Sequence, residues 1–329
     1  MQQKQIAIYY EHPDWFRPLF TELDRRDLPY EAIDAANHRF DPNKTDGPPV
    51  FFNRMSASAS YRGNGNAIFY TRYLLEHLER KGVRVINGAR SFAIETSKAL
   101  QLSLLDSLGV LHPKTAVVNS PAQALLAAEE FVFPIVVKPN IGGRGSGIVR
   151  FDSTDELKQA FAENLLDFGP DSTALVQEFI TKRDGCIHRI ETLGGKFLYG
   201  ITIHTSNENF NLCPAEVCLV ENQPAATEIC LTDGPANGLR IEKFDPPREI
   251  IDTVERIAAA AELDLGGVEY LIDDRSGKPL FYDINALSNF VAGAVDIIGF
   301  DPHEKLVDFL EKEINKCGTV TGFRSLAVG

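Results

Sequence analysis

Pro134-Ile-Val-Val-Lys-Pro-Asn-Ile-Gly-Gly-Arg-Gly-Ser-Gly-Ile-Val-Arg-Phe151 is the stretch on which the reading of this chain turns. Two strand-like runs, Pro134–Pro139 and Ile148–Phe151, flank a loop in which Gly142, Gly143, Gly145 and Gly147 alternate with Arg144 and Ser146. Such a flap can bring several backbone N–H groups onto phosphate oxygens, because no Cβ blocks the approach. No Lys-Ser/Thr follows, so it is not a Walker A loop. Its spacing and the strand after it also exclude a dinucleotide fingerprint. Asp167-Phe-Gly169 and His188-Arg189 look like protein-kinase motifs, but they stand in the wrong order and too close together. On this stretch by itself a ligand-free glycine turn stays open. Lys138 sits on the entering strand behind a run that reads as buried, which favours a point charge for phosphates over a solvated surface lysine.

A second constellation lies near the end. Gly267-Val-Glu-Tyr-Leu-Ile272 and Phe281-Tyr-Asp-Ile-Asn-Ala286 flank the turn Asp273-Asp-Arg-Ser-Gly277 and read as a hairpin. Asp283 and Asn285 are two apart and share a face, and Glu269 can face them from the neighbouring strand. Two carboxylates and an amide oxygen are the hard donors that Mg²⁺ (or Mn²⁺) takes. Solvent-facing strand polars are the plain alternative, and for Asp273 and Asp274 in the turn the plain reading is preferred.

Working outward, the first ~90 residues alternate strand and helix, which implies a parallel sheet with crossover helices. Strands are predicted at Ile6–Tyr10, Tyr30–Asp34, Val50–Asn53 and Val83–Ile86, with helices at Trp15–Arg26 and Ala67–Arg80. One helix is predicted over Glu95–Leu108, ended by Gly109. Short strands and isolated helices follow from Lys114 to about Phe168. Later come a strand at Ala174–Ile180, a hairpin about Gly194-Gly195, and helices at Pro246–Glu262 and Asp301–Lys316. The expected domains are 1–92, 93–172 and 173–329.

Composition limits the function classes. Hydrophobic residues are 44% and charged residues 24%, as in an ordinary globular protein, and no apolar run approaches membrane-spanning length. The net charge of −13 makes nucleic acid an improbable main partner. Five cysteines without a C-x-x-C, and no secretory leader pattern, suit a reducing cytoplasm. Cys213 and Cys218 have no companion pair, and zinc there is not expected.

Taken in order, these marks resemble the ATP-grasp superfamily, and most closely its ribosomal-S6 glutamate ligase and glutathione synthetase branch. The series runs Val85-Ile-Asn87, Ser97-Lys98, Leu111-His-Pro-Lys-Thr115, Val136-Val-Lys138 with the glycine loop, Val176-Gln-Glu-Phe-Ile180, Arg189, and Asp283-x-Asn285. The resemblance implies an α/β ATP-grasp fold of α+β lobes behind a Rossmann-like pre-ATP-grasp domain. It implies ATP held by Lys98 and Lys138 under the flap. The backbone of Gln177, Glu178, Phe179 and Ile180 would hold adenine, and Asp184 would accept from the ribose. It further implies Arg189 near the transferred phosphate, Glu269, Asp283 and Asn285 on magnesium, and Arg54 facing the acceptor side. The usual order of Asp then Glu at the metal is exchanged here. Ala286-Leu-Ser-Asn-Phe290 stands where the family often has Ser-Pro-Gly, which puts glutamate as substrate in doubt.

The implied activity is a carboxylate–amine ligase acting through an acyl phosphate on small substrates or a peptide, with a homodimer left open. A carboxylate kinase or thiol ligase, or a non-catalytic ATP-binding module, are the alternatives. His188 and His204 are candidates to face the cleft, Trp15 reads as core, and Tyr61-Arg-Gly-Asn-Gly-Asn66 as a substrate loop or a capped helix entry.

Overall fold

The computed structural model describes residues 5–12, 14–44, 47–143, 145–204 and 240–324, with side chains to Cys317. The N-terminal layer holds β1 (Ile6–Tyr10), α1 (Arg17–Arg25), β2 (Tyr30–Asp34), β3 (Val50–Arg54), α2 (Gly65–Arg80) and β4 (Arg84–Ile86). Its strands run in the order β2-β1-β3-β4, all parallel. Helices cover both faces, so β3 is buried along its whole length and β1 over Ile6–Tyr9.

The helix expected over Glu95–Leu108 is α4 (Lys98–Ser107), and a separate short helix that was not anticipated, α3 (Ala89–Glu95), precedes it. Ser97 separates the two by taking an extended conformation and capping α4, its Oγ accepting from Leu100 N at 3.2 Å. Asn140 reinforces this start, its Oδ1 accepting from Ser97 Oγ and from Ala99 N. The root of the glycine flap is thereby pinned to the first turn of α4.

The next sheet is formed by β5 (Thr115–Val118), β6 (Ile135–Pro139), β7 (Val149–Phe151) and β8 (Ala174–Glu178), with α5 (Pro121–Ala128) and α6 (Thr154–Ala162) packed on it. Its order is β5-β8-β6-β7. β8, which the sequence reading sets at the start of the third region, is hydrogen-bonded between β5 and β6. Texture along a chain marks where loops fall, whereas sheet membership is decided by pairing partners far away in sequence.

The last sheet has the order β11-β10-β9-β12-β13 and is antiparallel throughout. Its strands are β9 (Cys186–Leu193), β10 (Lys196–His204), β11 (Arg240–Phe244), β12 (Leu265–Ile272) and β13 (Pro279–Asn285). Gly194 and Gly195 both have positive φ (59° and 70°), which the tight β9–β10 turn requires. Helix α7 (Arg248–Ala260) covers one face together with α4. The short α8 (Ala294–Ile298) and the long α9 (Pro302–Arg324) follow. The edge strand β11 and α8 carry no pattern strong enough to be anticipated.

Helix α9 joins the outer layers. Leu306, Val307, Leu310 and Ile314 lie in one core with Ile6 and Ile8 of the first sheet and Ile201 and Ile203 of the last. Asn87, at φ 51°, welds the same two layers. Its Nδ2 donates to Leu265 O and Ala286 O, and its Oδ1 accepts from Asp264 N and Leu265 N. No helix among the described residues is long and apolar enough to cross a membrane.

Candidate active site

The cleft is built on one row of the last sheet. Arg189 on β9 pairs across to Glu269 on β12, and Glu269 pairs to Asp283 on β13. The adjacent row is Glu191, Gly267 and Asn285. Alternation along strands therefore aims both rows at one side. Gln101 of α4 fixes the register from behind, since its Nε2 donates to Ile284 O and its Oε1 accepts from Ile284 N. Ile284 is the residue between Asp283 and Asn285.

Arg189 is buried, and each of its three guanidinium nitrogens makes a side-chain hydrogen bond. Its Nε donates to Glu191 Oε1 at 2.6 Å, Nη1 to Glu269 Oε1 at 2.7 Å and Nη2 to Ser288 Oγ at 2.9 Å. Glu269 Oε2 also accepts from Tyr282 OH at 3.0 Å. Burial drives the Glu269 carboxyl above the usual range, and Asp283 adds to the rise while Arg189 opposes it. Glu95, at the end of α3, is raised first by burial and then by Asp283, while its Oε2 accepts from Leu287 N.

Three carboxylates crowded at one wall suit a cation. Asn285 donates its amide N–H to Asp283 Oδ2 at 3.2 Å, which leaves its amide oxygen as a donor atom. Both Glu269 oxygens already accept one hydrogen bond each and keep further lone pairs. The set Glu269, Asp283 and Asn285 therefore fits a hard divalent ion. Among the described residues no group of three or more His, Cys, Asp or Glu forms a metal cluster. The fit rests on two carboxylates and an amide.

The opposite wall is the flap. Lys138 is buried on β6, and its Nζ donates to Gln177 Oε1 at 3.0 Å. Burial, with Lys98 nearby, lowers its pKa to about 8. Lys98 Nζ donates to Gly142 O at 3.1 Å, tying α4 to the flap. Gly142, Gly143, Gly145 and Ser146 line the same cleft as Lys98, Lys138, Arg189, Glu269, Asp283 and Asn285. Gly147, at φ 74°, packs beside Pro139 and Asp167. Arg144 lies outside the described residues. The N-terminal layer closes the cleft from above, with Tyr61 OH donating to Ser146 O at 3.3 Å.

Other residues singled out from the sequence stand elsewhere. Glu178, Phe179 and Ile180 follow Gln177 behind Lys138, outside the lining of this cleft. Phe179 N donates to Pro134 O, and the Arg150 guanidinium lies over the Phe179 ring. Asp184 is exposed in a 3₁₀ turn at φ 58°. Arg54 is buried beside the cleft, in a neighbouring pocket.

His188 does not face the cleft. It alternates with Arg189 and stacks on Phe244 and Tyr270 on the other side of the sheet, where burial lowers its pKa to about 4. His204 also lies outside the lining, against Glu242. Trp15 is buried, yet one side of it lines the cleft. Asn64 stands at the entry of α2 without capping it, donating instead to Glu11. Cys213 and Cys218 lie outside the described residues.

Glu95, Glu191, Tyr282 and Ser288 complete the site and were not legible in the sequence. Each is an ordinary polar residue until the fold sets it against Arg189, Glu269 or Asp283.

The comparisons agree with this architecture. Residues 95–216 match the model of the RimK-like ATP-grasp domain. The ATP-grasp ligase PsnB, solved in complex with a minimal precursor, superposes with a TM-score of 0.62 at 17% identity, over 93% of this chain and 98% of that one. The chain has the ATP-grasp fold, and its matched segment is similar to the RimK-like ATP-grasp domains.

Among curated relatives, the alpha-aminoadipate–LysW ligase LysX of Sulfurisphaera tokodaii is 33% identical over 129 residues, 37% of this chain and 43% of that protein. The carbamoyl phosphate synthase large chain of Thermotoga sp. (strain RQ2) is 25% identical over 217 residues, 63% of this chain. The matched part spans only 18% of that larger relative.

Proposed function

We propose that this chain is an ATP-dependent ligase that joins a carboxylate to an amine through an acyl phosphate. The observation that carries the reading is one cleft. It is lined at once by the glycine flap, by Lys98 and Lys138, by Arg189, and by the Glu269–Asp283–Asn285 set. The ligase names of LysX and PsnB support the same reading.

In this reading the triphosphate lies between flap and sheet, with Lys138 and Lys98 against its phosphate oxygens. Glu269, Asp283 and Asn285 would hold Mg²⁺. When bound, the ion neutralises charge on the β- and γ-phosphates. A carboxylate oxygen of the acid attacks the γ-phosphorus, and ADP leaves. The amine nitrogen then attacks the acyl carbon, the C–O bond to phosphate breaks, and the amine loses a proton. Arg189, kept charged by Glu191 and Glu269, stabilises the anion that develops in each step. The Tyr61 contact holds the flap down and keeps water from the acyl phosphate. Adenine is assigned to the backbone about Gln177–Ile180 and ribose to Asp184. The substrates are small molecules or a peptide, and the setting is cytoplasmic, in keeping with the reduced thiol of Cys186.

The test is ADP release measured with panels of acids, with and without amines. Release that needs both substrates supports ligation. Release with the acid alone identifies a carboxylate kinase instead, and nucleotide binding without turnover sinks the enzymatic reading.

A further inference from the structure

Beside the cleft lies a second cavity of about 550 Å³, within the range of small-molecule sites. Trp15 and Asn289 belong to the walls of both. Its lining is mostly apolar, with Phe16, Phe290, Val291 and Leu306 all buried. Into this lining is set Arg54, only 3% exposed. Arg54 Nη2 donates to Ser288 O at 2.6 Å and to Asn289 Oδ1 at 3.3 Å. Its Nε and Nη1 are buried and meet no acceptor among the described residues. The rings of Phe16 and Phe52 lie 5.1 and 5.2 Å from the cation, and the carboxylates of Glu95 and Glu191 act on it through space.

A buried guanidinium with two open donors is costly unless an anion completes it. Nε–H and Nη1–H point away from each other and Nη2 is already engaged, so a carboxylate here takes one charge-assisted N–H bond rather than a bidentate pair. Phosphate groups are provided for elsewhere, by Lys98, Lys138 and the flap. The body attached to that carboxylate must be apolar to match the lining. Asp14 and Asp301 border the pocket paired with Arg17 and His303, and Asp296 beside them repels a second negative charge.

Ser288 couples the two sites. Its carbonyl takes Arg54 while its hydroxyl takes Arg189. A molecule anchored on Arg54 is therefore one residue's width from the row at which the acyl phosphate would form.

We infer that this pocket selects one of the two substrates, as a monocarboxylate carried on an aromatic or branched apolar body, gripped by Arg54. The inference rests on the ligase reading for its role in turnover, but not for the binding itself. The gripped carboxylate belongs either to the acid that is activated or to an amino acid that supplies the amine.

Trp15 is the only tryptophan of the chain and lines this pocket, so its fluorescence reports occupancy without nucleotide or turnover. Both enantiomers of phenylalanine, N-acetylphenylalanine, phenylalaninamide and glutamate would be titrated into the whole protein. Phenylalanine or its N-acetyl form should bind at least roughly tenfold more tightly than glutamate, and phenylalaninamide should lose about tenfold, as expected for a charged hydrogen-bond partner removed. Glutamate binding as well as phenylalanine, or phenylalaninamide as well as the acid, overturns the proposal.

Arg54→Gln should abolish the difference between acid and amide. If that variant does not fold, the ligand series on the unaltered protein decides. ADP release then separates the two sources. Release with N-acetylphenylalanine assigns the pocket to the activated acid. Release only with free phenylalanine and a second acid assigns it to the amine substrate. Selective binding without any ADP release would sink the ligase reading and leave the pocket standing; ADP release without selective binding would do the reverse.

Discussion

A Cβ placed on Gly267 would stand 2.7 Å from Arg189 Nη2 and 2.8 Å from Glu191 Oε1. Gly267 is therefore the gap in β12 through which the Arg189 guanidinium lies flat against the sheet. Gly267→Ala should push Arg189 off the row it shares with Glu269 and Asp283. The expected loss of turnover is about 10²-fold or more, the scale of losing one transition-state donor. Far-UV circular dichroism should be unchanged. Full ADP release by the alanine variant would mean that Arg189 has no part near the transferred group.

Asp283 is the carboxylate of the row whose charge both Glu95 and Glu269 feel. Asp283→Asn should relieve that crowding and remove the main hard donor for a cation. Turnover should fall by at least about 10²-fold. The concentration of Mg²⁺ needed for half-maximal nucleotide binding should rise. An unchanged magnesium titration would remove Asp283 from the metal set.

Lys138 gives the site a pH dependence. Its pKa, lowered by burial to about 8, means that the free protein loses this positive charge as pH rises through that value. Only the charged form grips phosphate. By pH 9 about a tenth of the molecules keep the charge, so apparent nucleotide affinity should weaken about tenfold relative to pH 7. The stability sign is the opposite. The unfolded chain binds more protons than the native one between about 8 and the ordinary lysine value, so this group makes the nucleotide-free protein more stable as pH rises across that window. Calorimetric titration of ATP at pH 7 and pH 9 checks the first effect. Lys138→Arg should flatten it.

The Asn87 side-chain amide hydrogen-bonds the backbone of Leu265 and Ala286. Asn87→Ala leaves those buried groups unmatched and puts alanine at φ 51°. A loss of ~3 kcal/mol in denaturant unfolding is expected, since each unmatched buried polar group costs about 1–3 kcal/mol. A change under about 0.5 kcal/mol would show that the two layers are held by α9 instead.

Tyr61→Phe removes only the hydroxyl that reaches Ser146 O across the cleft. Folding stability should be nearly unchanged. A several-fold rise in KM for ATP is expected, as one exposed hydrogen bond contributes about 1 kcal/mol or less. Identical kinetics would mean that the flap closes without the N-terminal layer.

Local chemistry made much of this readable in advance. The glycine run between two strand-like segments, the lysine on the strand before it, and the alternation Asp283-x-Asn285 each carry their meaning within a few residues. So does the hairpin at Gly194-Gly195, because a two-residue turn of that hand needs positive φ at both positions. The start at Ser97 was partly visible, since Ser97 is a natural cap, although the expected helix began two residues earlier at Glu95. His188 was misjudged as a cleft candidate because nearness to Arg189 in sequence is, on a strand, the guarantee of the opposite face.

What the sequence by itself determined is most of the elements and the residue types they carry: a parallel layer first, a glycine-rich flap, and a paired-acid hairpin. Periodicity and turn residues act over one or two turns of chain, and they are enough for that. Only the tertiary structure decided that β8 belongs with β5 and β6, and that Arg189 joins the row of Glu269 and Asp283. It also decided that Glu95 and Ser288 close the site, and that Arg54 is left with two buried donors in an apolar pocket. These relations join groups far apart in sequence, such as Arg189 with Glu269 at 80 positions and Arg54 with Ser288 at 234. They arise from burial and strand pairing, which no local pattern encodes.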